Sequence, residues 1–342
     1  MELNEQQKYI VNLDKPYIAV VASAAAGKTR VLTERVRRML KDGITPSDIA
    51  VITFTNMAAQ ELKERLADDY QAGMYIGTIH GLANRFLTRH GINTASLIKE
   101  EEFDKFFDLV KKNPDCVHHI KHILLDESQD TSPKEYDFLF NMINPDTYFI
   151  VGDLKQSIFG FRGADSKLFQ KIISDPKVTV CSLTQNYRNA SNILSFAKSI
   201  LWRDRISDDS VAARSGGLVY TGLPNFDNVI SWINEEGHFK DWAILCTTNS
   251  IIHENMELLE DAGIPCITFK QARMNKSELG DLIKKDAVKV LTFHSSKGLE
   301  FPNVIAWKPR WWGDQHIELN YVGATRAINR LYWLDEPKKK RK

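Results

Sequence analysis

Residues 22–29 read ASAAAGKT, and this stretch is the strongest local indication of the fold because it ends in the Gly-Lys-Thr of a phosphate-binding loop. The general pattern G-x-x-x-x-G-K-[ST] uses glycines so that successive backbone N–H groups curl around phosphate oxygens. Its lysine contacts the β- and γ-phosphates, and its hydroxyl side chain binds Mg²⁺. Only Gly27, Lys28 and Thr29 of that pattern are present here, so the loop is degenerate.

The sequence on either side places the loop at a strand-to-helix turn. Residues 18–21 form a short apolar run, and apolar residues recur at helical spacing over residues 30–40. A helix that begins directly after a loop presents its N-terminal N–H groups and the positive end of its dipole to an anion. This is the context that a phosphate-binding loop requires.

Short β-branched runs alternate with polar or amphipathic segments along the chain, a pattern typical of βαβ units and parallel sheets. In the first half they are residues 18–21, 49–54, 74–79, 123–125, 148–151 and 178–181. In the second half they are residues 218–220, 243–246, 266–269, 288–293, 304–307 and 331–334. We predict two α/β domains, residues 1–195 and 196–336, joined near residues 186–207.

The stretch ILLDESQDT, residues 123–131, runs from an apolar strand into two adjacent carboxylates, Asp126 and Glu127. This placement suits an aspartate that holds Mg²⁺, followed by a glutamate that polarises the attacking water. The alternative is an acidic loop at the end of a strand. A phosphate-binding loop in the same predicted sheet favours the first interpretation.

Composition permits a large core and disfavours several classes of protein. The 342 residues are 43% hydrophobic and carry a formal net charge of +1, so a nucleic acid would need a local basic groove. Four scattered cysteines without a C-x-x-C pair argue against a disulfide framework or zinc ribbon. No secretory signal is evident, and the longest apolar run, residues 17–26, is too short to span a bilayer. We therefore expect an intracellular protein.

A group of cysteine and histidine side chains offers an alternative metal site. It consists of Cys116, His118, His119 and His122, in which His118 and His122 would share one face of a helix. Metal sites of this kind normally draw on a second, distant pair of ligands, which is missing. We expect a packed or solvated histidine cluster instead.

Nine sequence motifs follow one another along the chain. They are LNEQQ (3–7), ASAAAGKTR (22–30), VITFTNMAAQELKERL (51–66), GTIH (77–80), LLDESQDT (124–131), VGDLKQSIFGFRGAD (151–165), LTQNYRN (183–189), VLTFHSSKGLEF (290–301) and YVGATRA (321–327). With these motifs the chain resembles UvrD/Rep-type superfamily 1 DNA helicases over nearly its whole length, in a compact form. The resemblance implies two RecA-like parallel-sheet P-loop NTPase domains with ATP at their interface.

The same resemblance implies an activity and its partners. It indicates an ATP-dependent 3′–5′ DNA helicase or translocase that uses ATP and Mg²⁺ and acts in DNA replication, repair or recombination. The expected partner is single-stranded DNA, or DNA with a single-stranded tail, on which the protein acts as a monomer. Replication or repair proteins are further expected partners.

Catalytic roles transfer by resemblance. The catalytic set is Lys28, Asp126, Glu127, Gln156, Arg188 and Arg326. Glu127 is the implied general base for water, and Gln156 resembles a γ-phosphate sensor. Arg188 and Arg326 are the implied arginine fingers, which stabilise charge in the transition state. Thr29 and Asp126 are the implied Mg²⁺ ligands.

Nucleotide-binding residues are implied in the same way. They are Gln7, Ala22, Ser23, Ala24, Ala25, Ala26, Gly27, Lys28, Thr29, Arg30, Tyr187 and Glu300. Gln7 resembles the reader of the adenine edge, Tyr187 the aromatic that stacks on the base, and Glu300 the ribose contact. Structural alternatives exist, because Arg326 could be a surface salt-bridge residue and Tyr187 a core aromatic.

The implied DNA-binding residues include aromatic side chains on which unstacked bases could stack. They are Phe54, Thr55, Asn56, His80, Phe159, Phe161, Arg162, His294 and Lys297. Base–aromatic stacking of about 1–3 kcal/mol per base tolerates any sequence. The alternative is that these are ordinary core aromatics and surface charges.

Two departures from the family affect the mechanism. Ala25 occupies a glycine position, which keeps the backbone N–H but costs about 1 kcal/mol if a positive φ is needed. We nevertheless expect an active ATPase. The accessory insertions are reduced to residues 87–120 and 270–287, which leaves strand separation open. A translocase that strips proteins without unwinding, and a non-catalytic DNA-binding module with a weakened ATP site, are the alternatives.

The chain ends in PKKKRK, residues 337–342. Three interpretations compete: an appended tag, a native basic tail that adds non-specific DNA affinity, or a nuclear-import signal. The last would place the protein in the nucleus, and the others are compatible with a cytoplasmic location.

Overall fold

In the computed structural model of this chain, the described residues are 2–69, 72–236, 238–269, 276–311 and 315–336. They divide into two compact units. Unit 1 comprises Met1–Ala22 and Gly27–Leu183, and unit 2 comprises Ser23–Ala26 and Thr184–Lys342. The four central residues of the phosphate-binding loop therefore group with unit 2. The tail at residues 337–342 lies outside the described residues.

Unit 1 contains a six-stranded sheet in which all pairings are parallel, in the order β3-β2-β4-β5-β1-β6. Its strands are β1 (Tyr17–Ala22), β2 (Ile49–Thr53), β3 (Tyr75–Thr78), β4 (His122–Leu125), β5 (Thr147–Gly152) and β6 (Thr179–Leu183). All six predicted strands of the first half are confirmed. β5 lies between β1, which precedes the phosphate-binding loop, and β4, which precedes the acidic pair.

Helices alternate with these strands along unit 1. They are α1 (Glu5–Asn12), α2 (Lys28–Lys41), α3 (Asn56–Arg65), α4 (Ile79–Arg89), α5 (Ala95–Lys99), α6 (Lys105–Lys112), α7 (Pro133–Tyr136), a π-helix (Asp137–Ile143) and α8 (Ser166–Ile173). α2 confirms the helix predicted over residues 30–40, with Val31, Leu32 and Val36 buried at helical spacing. Segment 87–120 packs Phe106, Phe107 and other residues into the same core.

Unit 2 repeats the architecture, with a parallel sheet in the order β11-β12-β10-β13-β14-β9 and a two-stranded sheet, β7-β8. Its elements are β7 (Gln185–Ala190), α9 (Ser191–Trp202), β8 (Val211–Arg214), β9 (Leu218–Gly222), α10 (Phe226–Glu236), β10 (Trp242–Cys246), α11 (Asn249–Asp261), β11 (Cys266–Ile267), α12 (Lys276–Lys284), β12 (Val288–Thr292), β13 (Phe301–Trp307), α13 (His316–Ala324) and β14 (Ala327–Leu334). The six strands predicted in the second half are confirmed. The predicted domain boundary after residue 195 falls inside α9, and residues 270–275 of the second reduced insertion lie outside the described residues.

Two strands and one local conformation differ from the sequence-based expectation. β7 and β8 were not predicted, because β7 reads QNYRNA and lacks the apolar alternation of an ordinary strand. The prediction that His118 and His122 share one face of a helix is wrong. His122 begins β4 instead, and its Nδ1 lies 2.8 Å from Thr147 Oγ1. Within the described ranges, no group of three or more histidine, cysteine or acidic residues is arranged to hold a metal ion.

Among the described residues, every helix is too short or too polar to cross a bilayer.

Candidate nucleotide and DNA sites

Gly27 ends the predicted phosphate-binding loop and begins α2. Its φ is +82°, in the left-handed region that favours glycine. A Cβ at this position would lie 2.7 Å from Nε2 of Gln7, closer than two such atoms can approach. The backbone conformation therefore favours glycine here, and a larger residue would also displace the end of the Gln7 side chain.

Gln7 is fixed at the start of α1 by a capping box. Asn4 Oδ1 accepts a hydrogen bond from the Gln7 N–H at 2.7 Å, and Gln7 Oε1 accepts one from the Asn4 N–H at 3.1 Å. The side chain of Gln7 is almost fully buried, and its Nε2 faces Gly27. The predicted adenine reader is thus held next to the phosphate-binding loop in unit 1.

Ala25 adopts a φ of +55°, so the loop does use the positive φ that glycine provides more easily. The left-handed region costs an L-residue about 1–2 kcal/mol. Two neighbouring carbonyls of the loop are hydrogen bonded to β7 within unit 2: Asn186 Nδ2 donates to the oxygen of Ala24 at 3.0 Å, and the Tyr187 N–H donates to that of Ala25 at 3.2 Å.

Lys28 and Glu127 meet in unit 1. Lys28 Nζ lies 3.1 Å from each carboxylate oxygen of Glu127, and only 11% of the lysine side chain is exposed. Burial opposes the charge on Lys28, but the carboxylates of Glu127, Asp153 and Asp126 outweigh it and raise its pKa. The structure therefore brings the predicted phosphate-binding cation and the predicted general base into direct contact.

A buried chain of amides and carboxylates extends from Glu127. Gln129 Nε2 donates to Glu127 at 2.5 Å, and its Oε1 accepts from the N–H of Asp153 at 2.8 Å. Gln156 Nε2 donates to Asp153 Oδ2 at 2.7 Å. Burial raises the pKa of Asp153 against the opposing effect of Lys155 and Lys28. The predicted phosphate sensor is thereby linked to the predicted base.

Sequence reasoning missed Gln129 and Asp153 as members of this chain. Both stand inside quoted motifs, LLDESQDT and VGDLKQSIFGFRGAD, at positions to which no role had been given. A buried polar residue at the carboxyl end of a strand must find a hydrogen-bond partner, and that requirement was the available signal.

Thr29 and Asp126 supply a hydroxyl and a carboxylate oxygen to unit 1. Asp126 is nearly buried at the end of β4, where its Oδ1 accepts the Glu127 N–H at 2.9 Å. Mg²⁺ in nucleotide sites is typically bound by one or two protein oxygens together with phosphates and water. The donor set at these positions fits such an ion.

Arg188 and Glu300 form an ion pair in unit 2. Arg188 Nε donates to Glu300 Oε2 at 2.6 Å, and its Nη1 donates to the carbonyl of Thr325 at 3.2 Å. The Glu300 side chain remains 53% exposed. The predicted arginine finger and the predicted ribose contact are therefore neighbours, and the pair holds the arginine in place.

Arg326 is buried within unit 2 with its guanidinium hydrogen bonded. It donates to the carbonyls of Val322 at 2.9 Å and Leu299 at 3.0 Å, and to Thr325 Oγ1 at 3.2 Å. In this arrangement it holds the turn between α13 and β14. Tyr187, by contrast, is half-buried.

The predicted DNA aromatics of unit 1 form one cluster. The rings of Phe54 and Phe159 stack with centroids 5.1 Å apart, and Phe161 lies 6.0 Å from Phe159. The guanidinium of Arg162 sits 5.4 Å from the centroid of Phe159. Phe161 is 69% exposed, so this aromatic surface, defined by Phe54, Phe159, Phe161 and Arg162, is open to a base.

Thr55 and Asn56 flank this surface at the start of α3, where Thr55 Oγ1 accepts the Ala58 N–H at 3.1 Å as an N-cap. His80 lies among acidic groups instead. Its Nε2 is 3.2 Å from Asp104, and its Nδ1 is 3.7 Å from Glu135, whose pKa burial raises.

The remaining two predicted DNA contacts lie in unit 2. His294 begins a 3₁₀ turn (His294–Ser296) after β12, and Lys297 follows that turn. Both side chains are half-buried.

The chain is similar to known helicases over most of its length. The UvrD/REP helicase N-terminal domain matches residues 3–115 and 104–177, and the UvrD-like helicase C-terminal domain matches residues 287–333. "DNA helicase II" of Escherichia coli is 24% identical over 428 residues, which cover 93% of this chain and 58% of that protein. "ATP-dependent DNA helicase srs2" of Schizosaccharomyces pombe is 26% identical over an alignment that covers 82% of this chain and 45% of that protein. A "Probable DNA helicase" of Mycoplasma pneumoniae is 24% identical over an alignment that covers 96% of this chain and 82% of that protein.

The chain spans about half the length of the first two of these relatives. The alignment with the Escherichia coli protein, at 428 residues, is longer than the 342-residue chain itself. That relative therefore contains inserted residues between the segments that match.

Proposed function

Because this chain belongs to the UvrD/REP helicase family, we propose that it is an ATP-dependent motor that moves 3′ to 5′ along single-stranded DNA. The observation that carries the proposal is the 3.1 Å contact between Lys28 and Glu127. Hydrolysis of a phosphoanhydride needs a cation for the phosphate charge and a base for the attacking water, and this pair supplies both.

ATP binding exchanges one partner of Lys28 for another. The lysine leaves the carboxylate of Glu127 for the β- and γ-phosphates, which are also anionic. Glu127 is then available to accept a proton from water. Through Gln129 and Asp153 the change reaches Gln156, which supports a sensor role for Gln156.

Thr29 and Asp126 would hold Mg²⁺ through their hydroxyl and carboxylate oxygens. The bound ion supplies neutralisation of charge that develops on the phosphate oxygens. Arg188, which is kept in place by Glu300, is the proposed arginine finger. Arg326 is proposed to act from its buried position as a second cation near the transition state.

The aromatic surface of unit 1 is the proposed base-stacking platform. Its exposed ring, Phe161, and the stacked pair Phe54 and Phe159 offer flat apolar faces beside the positive charge of Arg162. Such a platform accepts any base, which suits a motor that tracks along a strand regardless of sequence.

The test is steady-state ATP hydrolysis with and without a single-stranded oligonucleotide, with Glu127→Gln as the blank. We expect strong stimulation by DNA that disappears in the variant. Loss of a general base typically lowers turnover by about 10²–10⁴-fold. Hydrolysis by the unaltered protein that does not exceed the blank would overturn the motor and favour a binding module.

A translocase that displaces bound proteins without separating strands is the second candidate. The relatives' inserted residues and the short segment 87–120, which packs into the unit 1 core, favour it. Unwinding of a forked duplex, compared with displacement of a protein from a single-stranded track, distinguishes the two. Protein displacement without unwinding would select the translocase.

The proposed setting follows from the proposed substrate. Single-stranded DNA, or duplex with a single-stranded tail, arises in replication and repair, inside the cell. A working PKKKRK signal would direct the protein to the nucleus. Comparing the location of a fluorescent fusion with and without residues 337–342 tests this point.

A further inference from the structure

Two buried asparagines of β7 are placed at the phosphate-binding loop. Asn186 Nδ2 donates to the Ala24 carbonyl at 3.0 Å and to Asn189 Oδ1 at 2.8 Å. Both asparagines have no exposed surface. The N–H of the next residue, Tyr187, donates to the Ala25 carbonyl at 3.2 Å. Consecutive residues of β7 therefore bind consecutive carbonyls of the loop.

These bonds act on the strained part of the loop. Ala25 has a φ of +55°, a conformation that its Cβ disfavours. A residue in such a region persists where its surroundings impose the conformation. The bonds from Asn186 and Tyr187 are the surroundings that fix the peptide units on either side of this φ.

The asparagine pair is itself anchored. Asn189 Nδ2 donates to the carbonyls of Thr325 at 3.1 Å and Ala327 at 2.5 Å, at the turn before β14. Asn186 Oδ1 accepts the N–H groups of Arg188 at 3.0 Å and Asn189 at 2.8 Å, so β7 is locally folded around this amide. The amide of Asn186 thus has a fixed orientation toward the loop.

We propose that Asn186 is a positioning residue for nucleotide binding. Its amide holds the Ser23–Ala26 loop in the conformation that alanine at position 25 does not keep by itself. Asn189 is the anchor that orients it. This inference rests on the proposed function, since the loop held by Asn186 is the one proposed to bind phosphate. It also explains how the degenerate loop can bind a nucleotide without its usual glycine.

Asn186→Ser tests the proposal. A serine hydroxyl can still accept the N–H groups of the local turn, but it is too short to donate to the Ala24 carbonyl. We expect the dissociation constant for the fluorescent nucleotide mant-ATP, measured without DNA, to rise about five- to tenfold. The turnover number at saturating ATP should change less than the KM, because the loop is weakened rather than the chemistry.

Asn189→Ser is the comparison variant, because it weakens the anchor of Asn186 without removing the donor itself. It removes a buried amide from the same strand but leaves the donor to Ala24 in place, so nucleotide affinity should fall less than in Asn186→Ser. Thermal unfolding of both variants shows whether they have lost similar stability. Equal affinity losses in the two variants would overturn the assignment of Asn186.

Ala25→Gly completes a double-mutant cycle. Glycine adopts the loop conformation without outside support, so Asn186→Ser should cost less than about twofold in affinity when glycine occupies position 25. Additive effects would overturn the proposal. So would failure of Asn186→Ser to fold in both backgrounds while Asn189→Ser folds, because Asn186 would then be structural.

The same titrations separate this proposal from the motor. Nucleotide binding that depends on Asn186, without DNA-stimulated hydrolysis, would overturn the motor and support the positioning role. DNA-stimulated hydrolysis with unchanged affinity in Asn186→Ser would do the reverse. A chain that binds no mant-ATP would overturn both.

Discussion

Each unit contains a lysine with little exposed side-chain surface, and the two lysines are accommodated in opposite ways. Lys28 of unit 1 is surrounded by carboxylates, so that Glu127, Asp153 and Asp126 raise its pKa although burial opposes this. Its Nζ forms an ion pair with Glu127. The lysine therefore stays charged and faces groups that repel one another.

Lys289 of unit 2 is fully buried on β12 and meets backbone carbonyls instead. Its Nζ donates to the oxygen of Lys240 at 3.0 Å and to that of Lys285 at 2.9 Å. Burial lowers its pKa to about 8, although Asp241 and Asp286 oppose the change.

Burial of a lysine therefore does not by itself indicate a nucleotide site. The proposed distinction lies in the groups that accept its hydrogen bonds. Carboxylates keep a lysine cationic. The lysine can then exchange a carboxylate partner for another anion, such as a phosphate. Backbone carbonyls use it as a hydrogen-bond donor that joins two segments of the chain, which is a structural role.

Substitution of each lysine by methionine should separate the two roles directly. Lys28→Met should lower the turnover number for ATP hydrolysis by about 10²–10³-fold, because a preorganised charge at the phosphate is lost. Lys289→Met should leave turnover nearly unchanged at a temperature where the variant is folded. Steady-state hydrolysis with DNA measures both. Comparable losses in the two variants would remove the distinction.

The aromatic surface of unit 1 should contribute to DNA binding independently of the Lys28 site. Phe159→Ala should weaken binding of a fluorescent single-stranded oligonucleotide by about 5- to 150-fold, equivalent to about 1–3 kcal/mol for one stacked base. Its affinity for mant-ATP in the absence of DNA should not change. Tyr9→Ala, at an exposed aromatic of α1, is the control and should keep DNA affinity. If Phe159→Ala lowered the affinity for mant-ATP in the absence of DNA, the aromatic surface and the Lys28 site would be coupled, contrary to this prediction.

The lowered pKa of Lys289 should make the stability of the protein depend on pH. Its folded-state pKa of about 8 lies below the ordinary 10.5, so the unfolded chain binds more protons between these values. Through this residue, the free energy of unfolding should rise by about 1–3 kcal/mol as pH increases across that window. Denaturant unfolding of the unaltered protein and of Lys289→Met, at several pH values, isolates the contribution. Parallel pH profiles of the two proteins would contradict it.

The smallest effect is expected at Ala25, three residues before Lys28. Ala25→Gly should tighten mant-ATP binding by about two- to fivefold, because glycine removes part of the strain of about 1–2 kcal/mol that the positive φ of Ala25 places on the loop. The unaltered protein is the reference. Identical affinities and identical hydrolysis kinetics would mean that the alanine at this position is silent.

Much of the fold could be predicted, because it depends on local patterns. Twelve apolar runs marked twelve strands of the two large sheets, and their alternation with helices indicated parallel pairing. The strands that were missed, β7 and β8, pair with each other and carry polar or exposed residues. Periodicity detects burial of apolar side chains, so it gave no signal for a strand held by asparagine side chains.

The residues of the proposed nucleotide site were likewise predicted only in part. Motifs predicted that Lys28 and Glu127 belong together, although 99 positions separate them in the sequence, and the fold brings them to 3.1 Å. Gln129 was named in no role, and its position between Glu127 and Asp153 became visible only in the structure. The charge state of Lys289 was equally invisible, since its acceptors are backbone atoms of distant segments.

The family, the α/β class and the residue types at the proposed nucleotide site follow from the amino-acid sequence, because they depend on motifs and on apolar periodicity. The positive φ of Ala25, the contact of Asn186 with the loop and the burial of Arg326 with its donors engaged became known from the folded structure. These features differ because φ angles, burial and hydrogen-bond partners are set by segments distant in sequence. No local pattern encodes which of those segments will supply the missing donor or acceptor.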